Sequence, residues 1–188
     1  MRIVGGQYKG RSIKTCEGPG YRPATMKVRE SIFSMLQARG VIFETVRALD
    51  VFAGSGSLGI ECLSRGATEA WFIEKSAKAA ALIRRNLSDL KVEKGRGRVV
   101  SRDALGLLGK APERPFDLVF IDPPYGKGLL GPTLHKALAN GWIKENGLVL
   151  AEVESGVTIA DVAGETGIDM ELLTDREYGQ TRILLWRN

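Results

Sequence analysis

Five strand-like runs alternate with four segments of helical spacing between residues 46 and 153. The strands read as "VRALDVFAG" (46–54), "EAWFIEK" (69–75), "GRVVSR" (97–102), "FDLVFID" (116–122) and "GLVLAEV" (147–153). The helices read as "SLGIECLSRG" (57–66), "KAAALIRRNLSDL" (78–90), "ALGLLGK" (104–110) and "LLGPTLHKALANGW" (129–142). The middle strands are nearly continuous apolar runs, which suits parallel strands covered on both faces. Strand and helix in strict turn predict a doubly wound α/β sheet. The last two strands, "IDMELLTD" (168–175) and "QTRILLWR" (180–187), break the rule. The link "REYG" (176–179) is too short for a crossover, so this pair must be antiparallel.

The flanks are simpler. "RIVGGQYKGRSIK" (2–14) reads as a small hairpin, "GPGYRP" (18–23) as a loop and "TIADVAGE" (158–165) as a weak helix. A helix is predicted over 25–40, capped by Thr25, with Val28, Ile32, Met35 and Leu36 on one side and Gly40 ending it. In the helix read over 78–90, Leu82, Ile83, Leu87 and Leu90 share a face. A length of 188 residues and 44% hydrophobic content predict one soluble domain. Within it, residues 1–24 form a basic hairpin and loop, and 25–188 the main sheet and its helices. No apolar run is long enough to span a membrane, and the start lacks the apolar stretch of a signal peptide. A cytoplasmic location is the expectation, with no membrane partner.

Charge is unevenly placed. Residues 1–30 carry seven Lys or Arg and two acids, which is the whole net charge of +5. A basic end on a neutral body reads as a footprint for a polyanion, or as a plain solvated surface. "KVEKGRGRVVSR" (91–102) is a weaker basic stretch. The two cysteines, Cys16 and Cys62, are far apart and in no Cys-x-x-Cys pair, which argues against a disulfide or zinc site. Cys62 reads as a buried small residue. His135 is the only histidine and reads as a partly exposed helical residue, so triad chemistry has little to stand on.

"LDVFAGSGSLGIE" ends the first strand of the series, and Gly54, Gly56 and Gly59 fit G-x-G-x-x-G. Glycines there allow a tight turn and close approach of a ligand to the main chain. Glu74 ends the next strand, where a carboxylate can take both hydroxyls of a ribose. The loop thus points to an adenosine-containing ligand, either a dinucleotide or S-adenosylmethionine. Asp50, four residues before Gly54, favours the second: an acid suits an ammonium and a sulfonium and repels a pyrophosphate. Its competing reading is an acid that caps nearby backbone amides. Asp103 and Ala104 end the third strand, where an adenine amino group could meet a carboxylate. Asp103 reads as well as the N-cap of the next helix.

The fourth strand runs into Asp122-Pro123-Pro124-Tyr125. Ligands of open α/β sheets bind beyond the strands' carboxyl ends at the switch point, so this turn and the glycine loop should share a cleft. The chemistry gives each residue type a reason. An exocyclic amine is a poor nucleophile because its lone pair is delocalised into the ring. The Asp122 carboxylate and the Pro123 carbonyl can accept its two N–H groups and turn the nitrogen out of plane. The prolines stiffen the loop, so the carbonyl is in place before substrate arrives. Tyr125 can stack on the base, worth about 1–3 kcal/mol. Asp122 is assigned to orientation and charge stabilisation first, and to proton removal second. The motif permits guanine N2, adenine N6 or a protein glutamine as acceptor. A non-catalytic nucleic-acid-binding module is the reading from another class.

Together "RIVGGQYKGR", "YRPATMKVRESIFSML", "LDVFAGSGSLGIECLSRGA", "FIEK", "FDLVFIDPPY" and "REYGQTRILLWR" resemble the RsmD family of bacterial 16S rRNA (guanine-N2)-methyltransferases. The resemblance covers nearly the whole chain. It implies a seven-stranded, Rossmann-like class I methyltransferase sheet of order 3-2-1-4-5-7-6, with S-adenosylmethionine as cofactor. It implies 16S rRNA as substrate, within an assembled or assembling small subunit, no metal, and a monomer. The implied cofactor residues are Asp50, Gly54, Ser55, Gly56, Glu74, Asp103 and Ala104. Arg29 of the Arg29-Glu30 pair is placed near the methionine end. The implied target-amine residues are Asp122, Pro123, Pro124 and Tyr125. Where the family usually has an acid before the first long helix, this chain has Met26, which unsettles substrate detail drawn from that loop.

Overall fold

Strand β1 (Arg47–Val51) is buried at every position. A computed structural model describes residues 1–16, 25–157 and 169–188. The expected loop at 18–23 and helix at 158–165 lie outside the described residues, as do Arg22, Pro23 and Ala24. Around β1 stand β2 (Glu69–Ile73), β3 (Gly97–Val100), β4 (Phe116–Ile121), β5 (Ile143–Glu154), β6 (Glu171–Tyr178) and β7 (Thr181–Arg187). Among the described residues they make one seven-stranded sheet of order β3-β2-β1-β4-β5-β7-β6. Pairing is parallel from β3 to β5 and antiparallel at β5–β7 and β7–β6. The order expected from the resemblance is the one observed.

The helices are α1 (Met26–Ala38), α2 (Ser57–Ser64), α3 (Ala77–Asp89), α4 (Ala104–Leu108) and α5 (Leu130–Ala139). Side chains of a strand alternate between faces, and here both faces are covered. Ala48, Phe72, Phe120, Leu150 and Ile183 pack with α1, α2 and α3 on one side. Leu49, Ile73, Val119, Val149 and Leu184 pack with α4 and α5 on the other. That double burial is why the strands read as unbroken apolar runs. Among the described residues, no helix is long and apolar enough to cross a membrane.

Local chemistry sets the helix ends. The Thr25 hydroxyl accepts from the Val28 amide at 3.3 Å and caps α1, and Val28, Ile32 and Leu36 are buried while Met35 is only half-buried. In α3, Ile83 and Leu87 face the core as read, but Asn86 is buried between them. Cys62 is fully buried, and His135 is exposed on α5.

Two expectations need correction. "REYG" is not a four-residue link: Arg176, Glu177 and Tyr178 belong to β6, and only Gly179 and Gln180 form the turn. Gly179 takes a left-handed φ of +64°, which a two-residue hairpin turn demands. The N-terminal segment is less regular than two strands. An isolated antiparallel bridge, Arg2 to Ser12, closes it, helped by the Ile3 amide donating to the Arg11 carbonyl at 3.0 Å and the Gly10 amide to the Ile3 carbonyl at 2.9 Å. It docks on α2, where the Val4 amide donates to Glu61 Oε2 at 3.0 Å and the Gln7 amide to the Ser64 carbonyl at 2.7 Å.

Candidate active site

The chain leaves β1 for β2 and β3 on one side and returns to β4 on the other. The switch point therefore lies between the carboxyl ends of β1 and β4. A cleft of about 840 Å³ opens there, walled by the glycine loop, Glu74, Asp103, Ala104 and the Asp122–Tyr125 turn.

The glycine loop is bent by sequence. Phe52 holds a left-handed φ of +61°, a strained conformation for a bulky residue, with its ring against the second core. Gly56 has a φ of +77° and begins α2. At Gly59 a Cβ would sit 2.4 Å from the Phe72 ring, so its role is close packing of α2 on β2. Gly54 and Ser55 line the cleft, whereas Gly56 shapes the loop from behind.

Glu74 holds the loop directly. Its Oε2 accepts from the Gly54 amide at 2.8 Å and its Oε1 from the Ser76 amide at 2.7 Å. Each oxygen keeps a second lone pair for a ligand. Asp103 is the N-cap of α4. Its Oδ2 caps α4 through the Gly106 amide at 2.9 Å, and the residue also lines the cleft. Asp50 lies beneath the loop rather than on the cleft wall, 2% exposed, with Oδ2 accepting from the Gly59 amide at 2.9 Å. Burial pushes its carboxyl up to about 7 against that hydrogen bond, and Glu74 adds to the rise.

Asp122 stands one residue beyond β4, its amide donating to the Val51 carbonyl at 3.4 Å. Pro123, Pro124 and Tyr125 line the same cleft, as the turn reading required. The Tyr125 hydroxyl meets Thr181 Oγ1 at 3.1 Å, which ties the loop to the first residue of β7. The Gly126 amide donates to Glu154, fastening the far end of the loop to β5. Burial holds the Asp122 carboxyl well above the ordinary range, and Glu152 and Asp50 push it further.

Arg29, expected near the methionine end of the cofactor, does not line the cleft. It is 1% exposed, its Nη2 donates to the Arg2 carbonyl at 2.9 Å, and its Nη1 lies 3.9 Å from Glu61. It is a buried strut between α1, α2 and the N-terminal segment, not a surface pair. The basic footprint is likewise partly structural. Arg11 donates to the Leu90 carbonyl at 3.0 Å, and Lys14 pairs with Asp89 at 3.6 Å, while Arg2, Lys9 and Lys27 are exposed.

Sequence reasoning missed three contributors. Cys16 lines the cleft, so the N-terminal segment forms part of its wall. Asn86 joins that segment to the glycine loop, donating to the Lys14 carbonyl at 2.9 Å and to the Ser55 carbonyl at 3.2 Å. Glu152 is buried beside Asp122, and the signal available was an acid inside the apolar run "GLVLAEV".

This sheet order, with a glycine loop after β1, an acid ending β2 and Asp-Pro-Pro-Tyr after β4, defines a class I methyltransferase of the amino-group type. The chain belongs to the family described as Conserved hypothetical protein 95, whose model matches residues 1–187, and this is the RsmD family of the sequence resemblance. It is 39% identical over 159 residues to Ribosomal RNA small subunit methyltransferase D of Escherichia coli, covering 84% of this chain and 77% of that one. The protein of that name in Haemophilus influenzae is 34% identical and covers 100% of this chain and 94% of its own. Among solved structures, the yhhF protein of Escherichia coli superposes with a TM-score of 0.83 at 35% identity, over 100% of this chain and 97% of that one.

Proposed function

We propose that the protein transfers a methyl group from S-adenosylmethionine to the exocyclic N2 of a guanine in small-subunit (16S) ribosomal RNA. The observation that carries this is the placement of the Asp122–Tyr125 turn and the glycine loop on one cleft. The curated relatives, named as small-subunit ribosomal RNA methyltransferases, support the choice of RNA.

The residues present fit the cofactor. Glu74 has lone pairs for two ribose hydroxyls, and Asp103 is placed for an adenine amino group. The acids around the cleft favour a cationic ligand over a pyrophosphate. When bound, S-adenosylmethionine supplies an electrophilic methyl group on a positively charged sulfur. Asp122 and the Pro123 carbonyl accept the N–H groups of the target amine and aim its lone pair. Tyr125 stacks on the base, held by Thr181. Asp122 then stabilises the charge that develops on nitrogen and receives its proton.

The target base must be unstacked, since a paired guanine hides its amine. We infer that a structured ribonucleoprotein, not naked RNA, presents the base, and that a monomer in the cytoplasm acts on it. The test is incubation with labelled S-adenosylmethionine and small subunits lacking the modification, followed by digestion to nucleosides. Label in N2-methylguanosine is the expected result. Label only in another nucleoside would overturn the acceptor, and label nowhere would overturn the function. Asp122→Ala should abolish transfer while cofactor binding stays near normal.

A further inference from the structure

Glu152 stands one strand over from Asp122. In the parallel pairing of β4 and β5, Ile121 lies beside Ala151, so the next residue of each strand leaves on the same face. That is the face of Phe120 and Leu150, packed under the apolar side of α1. Glu152 is 3% exposed, and its Oε2 has no hydrogen-bond partner. A buried carboxylate oxygen without a donor is costly and calls for an explanation.

The surroundings supply no cation among the described residues. Among the described residues the charges that act on Asp122 are Glu152 and Asp50, both acidic. Tyr125, in the loop, feels Glu152, Asp122 and Glu154 together. On β7, Ile183 lies opposite Glu152 and Arg182 is turned to Asp175. On α1, Arg29 is turned to Glu61. Burial raises both acids of the pair.

We propose that Asp122 and Glu152 share a single proton, and that Glu152 acts through it as a positioning residue for methyl transfer. The shared proton is the donor that Glu152 Oε2 lacks. Held toward Glu152, it pins the Asp122 carboxylate and leaves that group an anionic oxygen for the target amine. This rests on the function proposed above. As the nitrogen–carbon bond forms, the sulfur–carbon bond breaks and sulfur keeps its electron pair. The alkylated nitrogen then sheds one proton to Asp122, and the pair holds two protons until one exchanges with solvent. The singly protonated pair is the working form, so kcat falls at low pH, where both acids are protonated, and at high pH, where neither is.

The experiment compares wild type, Glu152→Gln and Glu152→Leu for kcat and cofactor KM across pH, on unmodified small subunits. The Gln amide donates permanently to Asp122, so this variant should work within about tenfold of wild type and lose the high-pH decline. Leu should drop kcat about a hundredfold with cofactor KM little changed. Equal loss in both variants, or a Gln variant that keeps the high-pH decline, would overturn the proposal. Carbon-13 NMR titration of the carboxyl groups reads the pair even if the acceptor assignment is wrong. Two separated steps are expected in wild type and one in Glu152→Gln; independent single steps in wild type would reject the shared proton. A wild type that methylates no guanine would reject the function above without touching that titration.

Discussion

Asn86 clasps the backbone of Lys14 from both sides: its Oδ1 accepts from the Lys14 amide and its Nδ2 donates to the Lys14 carbonyl, each at 2.9 Å. The same Nδ2 reaches the Ser55 carbonyl in the glycine loop at 3.2 Å. One buried amide thus fixes the N-terminal segment and the cofactor loop together. Asn86→Leu fills similar space but strands these groups, each costing about 1–3 kcal/mol when left unpaired. Chemical denaturation should show a loss of at least about 2 kcal/mol, with weaker cofactor binding. Unchanged stability would mean that water replaces the amide.

Glu74 offers a second test of the loop. Glu74→Gln cannot accept from both the Gly54 and Ser76 amides in their present positions, because one of its ends has become a donor. Cofactor affinity measured by calorimetry should fall tenfold or more, about 1.4 kcal/mol. An unaltered affinity would remove Glu74 from the ribose site.

Two glycines of "GGQYKG" separate turn strain from docking. Gly6 and Gly10 have φ of +73° and +81°, but a Cβ at Gly6 would lie 1.9 Å from the Ser64 carbonyl oxygen, whereas the space at Gly10 is open. Gly10→Ala should cost only the left-handed penalty, about 1–2 kcal/mol. Gly6→Ala should cost clearly more and make the first residues susceptible to proteolysis. Equal melting temperatures for the two variants would contradict the docking described for this segment.

Acid titration should betray the buried acids. Burial raises Asp50, Asp122 and Glu152 above their unfolded values. The folded chain therefore binds more protons than the unfolded chain between pH about 4 and about 7, and stability falls as pH rises through that window. Asp50→Asn keeps an acceptor for the Gly59 amide and removes one titration, so thermal melts of the ligand-free protein should fall less steeply from pH 4 to 7. A steeper fall than wild type would show the sign to be wrong.

The sheet, its parallel core, the antiparallel final pair and the two loops at its carboxyl edge were legible in the residues alone. Those features rest on local signals: strands buried on both faces read as apolar runs, and Gly54, Gly56, Pro123 and Pro124 punctuate where the backbone must turn. Long-range contacts left no such trace. Arg29 looks like any helical arginine beside a glutamate, and only the docking of α1 on α2 turns it toward Glu61. The reach of β6 to Tyr178 was hidden because polar residues on an edge strand resemble a turn until β7 pairs with them. Asn86 sits 72 positions from Lys14, and Glu152 sits 30 from Asp122, so no window of sequence joins them. Tertiary structure decided those pairings, because strand register and helix packing choose which buried polar groups must find each other.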